Sequence, residues 1–147
     1  MAIELMMQPK DVPLAWSDFD LTYPPFSVAI DGYVKDGPRF NRKAPRANFN
    51  HHGGVATLET RATCAQALME IRGGIFRRFQ VNGQPKMLIW ANDCDEDVCS
   101  TVTAFRHHEL VMSTTNPLWN RLIGMEDLLD TTGGAYAFSP TRDSMQE

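Results

Sequence analysis

At 147 residues, 43% of them apolar and 22% charged, the chain is long enough to bury one core and too apolar to stay disordered. No stretch approaches the roughly 20 apolar residues of a membrane span, and the opening MAIELMMQPKD lacks the basic-then-apolar order of a secretion signal. A net charge of −4 excludes a global pull toward nucleic acid or membrane, and three cysteines, an odd number, read as reduced thiols of a cytoplasmic protein.

Residues 1 to 25 read as an irregular N-terminal segment, because Pro9, Pro13, Pro24 and Pro25 interrupt any regular element. FSVAIDGYV, residues 26 to 34, is rich in β-branched and aromatic residues and predicts a strand that turns at Asp31-Gly32. A loop full of Gly, Pro and charge carries Arg39, Arg42, Lys43 and Arg46. A short extended piece, Ala47 to Asn50, then leads into His51-His52-Gly53-Gly54. Thr63 is placed to cap a helix in which Cys64, Leu68, Ile71 and Ile75 follow helical spacing, interrupted at Gly73-Gly74. Asn82-Gly83 marks a turn, and KMLIWAN, 86 to 92, is the apolar run of a buried strand.

That strand ends in Asp93-Cys94-Asp95-Glu96-Asp97, and a helix follows with Val98, Val102 and Phe105 on one face. Cys64 and Cys99 take apolar helical positions and read as core. After Pro117, the spacing of Leu118, Leu122, Met125 and Leu129 predicts an amphipathic helix ending before Gly133-Gly134, with Glu126, Asp127 and Asp130 on its other faces. Strands alternating with helices predict an α/β fold: a mainly parallel sheet flanked by helices, forming a single domain over residues 26 to 147.

In open α/β sheets ligands bind at the carboxyl ends of strands. Both distinctive motifs, the double histidine and the acidic run, fall at such ends. Four carboxylates within five residues repel one another unless a cation or solvent intervenes. Oxygen ligands alone favour magnesium or calcium, whereas added imidazoles favour manganese, iron or zinc. Taken singly, the acidic run also describes a solvated helix N-terminus and the histidines a structural or surface pair; together they point to a metal site. On spacing alone Glu126 to Asp130 equally describe an ordinary exposed face near a helix end, but carboxylates there work against the helix dipole, which favours a ligand that keeps one in place. No Walker loop, GxGxxG or Ser-His-Asp arrangement is present, which argues against P-loop and Rossmann chemistry.

The stretches AIDGYV, APRANFNHHGG and ETRATCAQAL resemble the DHH phosphoesterase superfamily, closest to its melanocyte-proliferating-gene branch. Asp31-Gly32 matches that branch's Asp-Gly strand end, and Phe49-Asn50-His51-His52 matches its Phe-Asp-His-His segment. Asp93-Cys94-Asp95-Glu96 is similar to its His-Cys-Asp-Glu, and Asp127-Leu128-Leu129-Asp130 to its Asp-x-x-Asp. Two features depart from it. Asn50 replaces the signature Asp, and the DCDE element follows the double histidine where the family has it before, a permuted order.

The resemblance implies a DHH-like domain holding two divalent cations, manganese first and Mg2+, Fe2+ or Zn2+ as alternatives. Asp31, His51, Asp93, Asp95 and Asp130 are the implied metal ligands. His52 is implied to face the phosphate as ligand or proton donor and Arg61 to contact it, with Glu96 and Asp127 orienting ligands. The implied activity is hydrolysis of a phosphoanhydride or phosphodiester in a nucleotide or short oligonucleotide, and the basic loop from Arg39 to Arg46 suits such a backbone. The chain is too short for the family's second, substrate-gripping domain, which leaves room for a second copy or a partner chain. The residues leave two other readings open: a module that binds metal or nucleotide without turnover, and a structural protein whose acidic residues and histidines only cap helices.

Overall fold

A computed structural model describes residues 2–41, 43–51, 61–113 and 117–132. In chain order the elements are β1 (Ala2–Met7), α1 (Trp16–Thr22), β2 (Ser27–Ile30), β3 (Arg39–Asn41), β4 (Arg46–Phe49) and α2 (Thr63–Gly73). A 3-10 turn (Ile75–Arg77) follows, then β5 (Gln80–Val81), β6 (Gln84–Ala91), α3 (Glu96–Arg106), α4 (His108–Met112) and α5 (Leu118–Thr132).

The chain is a mixed α/β protein. Its six-stranded sheet has the order β1-β6-β2-β4-β3, with β5 paired to β6. The pairings β1–β6, β6–β2 and β2–β4 are parallel, whereas β3–β4 and β5–β6 are antiparallel. The parallel part is as the strand–helix alternation predicts. The antiparallel pairs arise from short connections: the β5–β6 hairpin turns at Asn82 and Gly83, whose φ angles of 51° and 80° suit this pair of residues.

β2 sits in the middle and is buried on both faces, as an apolar parallel strand should be. Val28 and Ile30 point into the larger core, with Met87 and Ile89 of β6, Phe49 of β4, and Phe105 and Val98 of α3. Ala29 points the other way, into a smaller cluster with Phe19, Tyr33, Val34 and Trp90. There the rings of Phe19 and Tyr23 lie 4.5 Å apart, and Lys10 donates to the Tyr23 hydroxyl, 2.8 Å away. The Tyr23 and Tyr33 hydroxyls share a hydrogen bond, and Tyr33 donates to Gln8. Burial, then the Tyr23 hydroxyl, raises the Tyr33 phenol above its ordinary pKa.

Two expectations are corrected. Residues 1 to 25 are not irregular throughout: β1 runs parallel to β6, Ala2 opposite Lys86 to Met7 opposite Ala91. Ile3 and Leu5 face the core while Glu4 is exposed, the period of a strand, and the prolines fall outside both β1 and α1. In α5, Leu118 and Leu122 are 49% and 40% exposed, so these two leucines of the predicted stripe do not lie on the buried face. The face that packs inward carries Trp119 and Ile123, against Ala62, Cys64 and Ala65 at the start of α2. That rotation brings Glu126 and Asp127, three and four residues beyond Ile123, toward the same side. Among the described residues no helix is long and apolar enough to cross a membrane.

Candidate metal centre

Because β6, β2 and β4 are parallel neighbours, their carboxyl ends open on one edge of the sheet. β2 gives way to Asp31 and Gly32 at φ angles of 53° and 88°. This left-handed geometry is tolerated by aspartate better than by most side chains, and the Asp31 N–H is tied to the Phe49 carbonyl, 2.9 Å away. β4 gives way to Asn50 and His51, buried with 0% and 1% exposure. β6 gives way to Asp93, Cys94 and Asp95, the last capping α3 by accepting from the Val98 N–H at 2.9 Å.

Among the described residues, two groups of three bring one ligand atom per residue within 4.8 Å of one another: Asp31, His51 and Asp97, and Asp31, Asp93 and Asp95. Asp31 belongs to both. The first group is interior, since His51 and Asp97 are each 1% exposed. The second is open, since Asp93 and Asp95 are exposed. Of the sequence-predicted ligands, Asp31, His51, Asp93 and Asp95 therefore fall into these two groups, which meet at Asp31. Asp130 lies in α5 with its side chain outside the described residues, and His52 lies outside them altogether.

Asp97 belongs to the acidic run that the sequence assigns to the site, but not to the ligands named from it, and the structure groups it with Asp31 and His51. It lies one helical turn before Thr101 and beside Val98, on the inward side of α3. Its carboxylate accepts from the Thr63 N–H at 3.0 Å and the Cys64 N–H at 2.8 Å, and lies 3.8 Å from His51 Nε2. Asp127 of α5 accepts from the Ala62 N–H at 2.6 Å. Thr63 itself caps nothing: the N-cap is Ala62, and the first N–H groups of α2 are met by carboxylates from α3 and α5. The negative charge suits the positive end of the helix dipole, and it explains how Asp127 is retained on its own helix.

The basic residues are partly committed. Arg61 is exposed but forks onto Asp127, with Nε and Nη2 each 3.1 Å from Oδ2. The Ala62, Thr63 and Cys64 N–H groups at the start of α2 are thus taken up by carboxylates. Arg46 binds the Tyr23 carbonyl and Asp20, and Arg39 approaches Asp36 at 3.9 Å. Lys43 faces solvent, and Arg42 lies outside the described residues. Cys64 is buried as expected, where desolvation and then the charge of Asp97 push its thiol pKa far up. Cys99 is not core: it is exposed beside Cys94.

Asn50 has its own logic. Its amide nitrogen donates to the carbonyls of Val34, at 3.3 Å, and Asp36, at 3.1 Å, holding the loop after β2. A carboxylate cannot donate, so Asn50→Asp sets a buried charge against two carbonyl oxygens. The expected cost is about 2–3 kcal/mol of stability with no gain in metal affinity, read by urea denaturation and manganese titration of the variant. No family model matches the sequence, and no significant match was found among curated proteins or solved structures.

Proposed function

We propose that the chain is a divalent-metal-dependent phosphoesterase of DHH-like type that hydrolyses a phosphoanhydride or phosphodiester in a nucleotide or short oligonucleotide. The observation that carries the reading is the sharing of Asp31 by two ligand groups at the ends of adjacent parallel strands. One carboxylate common to two groups suits a pair of cations a few ångströms apart. Four carboxylates with an imidazole fit manganese, iron or zinc better than calcium.

Asp31 would be the common ligand. His51 and Asp97 would serve the interior position, and Asp93 and Asp95 the open one. Bound there, the cations supply charge neutralisation for the phosphoryl group and lower the pKa of the attacking water. The chain supplies the rest. Asp97, anchored by two backbone N–H groups, keeps its carboxylate beside His51. Arg61 retains the N–H groups not used by Asp127 for a phosphoryl oxygen.

Next to the site a cavity of about 340 Å³ is lined by Phe40, Phe49, Met69, Gln66, Glu70 and Arg61. Gln66 ties it to the site by donating to the carbonyls of Asn50 and Arg61. Its apolar walls suit the organic part of a phosphate ester, and burial raises the Glu70 carboxyl above its ordinary pKa.

Chelator-stripped protein is expected to release no nitrophenol from bis(4-nitrophenyl) phosphate, and added manganese to restore release. A His51→Ala, Asp95→Ala double variant is expected to lose both the restoration and any manganese-induced rise in melting temperature. A wild-type protein that ignores manganese in both measurements would sink the reading. Manganese binding without turnover selects the second reading, a binding module, which the structural use of Asn50 in place of the family's Asp favours.

A further inference from the structure

We propose that Cys94 and Cys99 are a modification site: a dithiol that closes reversibly into an intramolecular disulfide and staples the acidic arm, Asp93 to Asp95, to the first turns of α3. Both cysteines are free and exposed, and their sulfurs lie 3.0 Å apart. Their positions explain the contact. With Asp95 as N-cap of α3, Cys94 precedes the cap and Cys99 is the fourth helical residue, the two positions that pack together across a helix start.

The cap also fixes the backbone at both ends. Asp95 accepts the Val98 N–H on its side chain and the Cys99 N–H on its carbonyl, each at 2.9 Å. With the backbone so held, closure of the sulfurs from 3.0 Å to a bond of about 2.05 Å falls to rotation of the two side chains. Cys64, with 0% exposure, is no competitor for either sulfur.

The oxidant is a small-molecule disulfide of the glutathione type. The Cys94 sulfur attacks it, forming a mixed disulfide and releasing one glutathione thiol. The Cys99 sulfur then attacks the Cys94 sulfur and expels the second glutathione. Two electrons pass from the cysteines to glutathione disulfide, and the two thiol protons end on the two glutathione thiols.

Closure bears on the open ligand group, a consequence that rests on the metal reading above. Asp93 and Asp95 flank Cys94, and both converge on Asp31 while the sulfurs are already in contact. The bond restricts the arm near this converged arrangement, so oxidised protein binds manganese more tightly than reduced protein.

The test incubates the full chain with oxidised glutathione, unfolds it, labels it with N-ethylmaleimide and weighs it. Expected is a loss of about 2 Da with a single label, on Cys64, against three labels on the reduced chain. Dithiothreitol returns the three-label form, and Cys94→Ser or Cys99→Ser stops at a persistent glutathione adduct. Three labels after oxidation, or a persistent adduct on the wild-type chain, overturns the disulfide. Manganese titration of the two forms is expected to give several-fold tighter binding when oxidised. Equal affinities overturn the coupling alone. Absence of binding in both forms overturns the metal reading and the coupling together, and the label count still decides the disulfide.

Discussion

Asp31→Asn is expected to lower manganese affinity by a factor of roughly 100 or more, because outer-shell changes alone cost 10–100-fold and this one removes a proposed ligand. The loss should extend to both positions, since Asp31 is the residue common to the interior and open groups. Asparagine is the informative replacement. The residue sits at φ 53°, where Asn is tolerated nearly as well as Asp, whereas alanine would add backbone strain and confuse a folding defect with a binding one. The backbone link from the residue 31 N–H to the Phe49 carbonyl survives the change. Calorimetric titration with manganese, with melting of the metal-free protein as the fold control, reads the result. A contrast sharpens it: Asp93→Asn touches only the open group and should leave the interior affinity in place. If Asp31→Asn binds manganese as the wild type does, the shared-carboxylate arrangement is not a metal centre.

Much of the placement was legible in the sequence because its signals are local. The apolar run before the acidic cluster marks β6, the β-branched run before Asp31-Gly32 marks β2, and parallel pairing then puts the strand ends side by side. What was illegible depends on partners distant along the chain. Nothing local distinguishes Asp97 from the other carboxylates of the acidic run until α2 is packed against α3, when it faces N–H groups 33 and 34 residues earlier. Asp127 works across 65 residues to cap Ala62, so its presence late in a helix cannot be explained from its own helix. The inward face of α5 was misassigned because leucines outnumber the Trp119 and Ile123 pair that the α2 start accommodates. β1 was not legible because its alternation spans only Ile3 to Leu5 before the adjacent apolar Met6 and Met7 break the period, with Gln8 and Pro9 following at once. Asn50 could be compared with a family Asp, but its role as a donor to two carbonyls appears only once the loop after β2 is folded over it.

Asp97→Ala is expected to destabilise the metal-free protein by about 3–5 kcal/mol, the range for removing one partner from a buried charged network. The change leaves two backbone N–H groups at the buried start of α2 without their acceptor, each worth roughly 1–3 kcal/mol when orphaned. At about 2–4 °C per kcal/mol for a chain of this size, the melting temperature should fall by about 10 °C. Asp97→Asn keeps one carbonyl oxygen and should cost about half as much. Asp127→Ala should cost about 1–2 kcal/mol, nearly all of it from the Ala62 N–H that loses its acceptor, because Arg61 is 55% exposed and solvent screens that pair. Denaturation in chelator separates capping from ligation. A large loss for Asp97→Ala without metal shows that the carboxylate holds α2 to α3 before any cation binds. Wild-type stability in chelator, with manganese affinity lost, would reverse that order and make Asp97 a ligand first. In the expected case, the buried carboxylate that keeps α2 against α3 also holds its charge beside His51, so the stability of the helix pair and the geometry of the interior group rise and fall together.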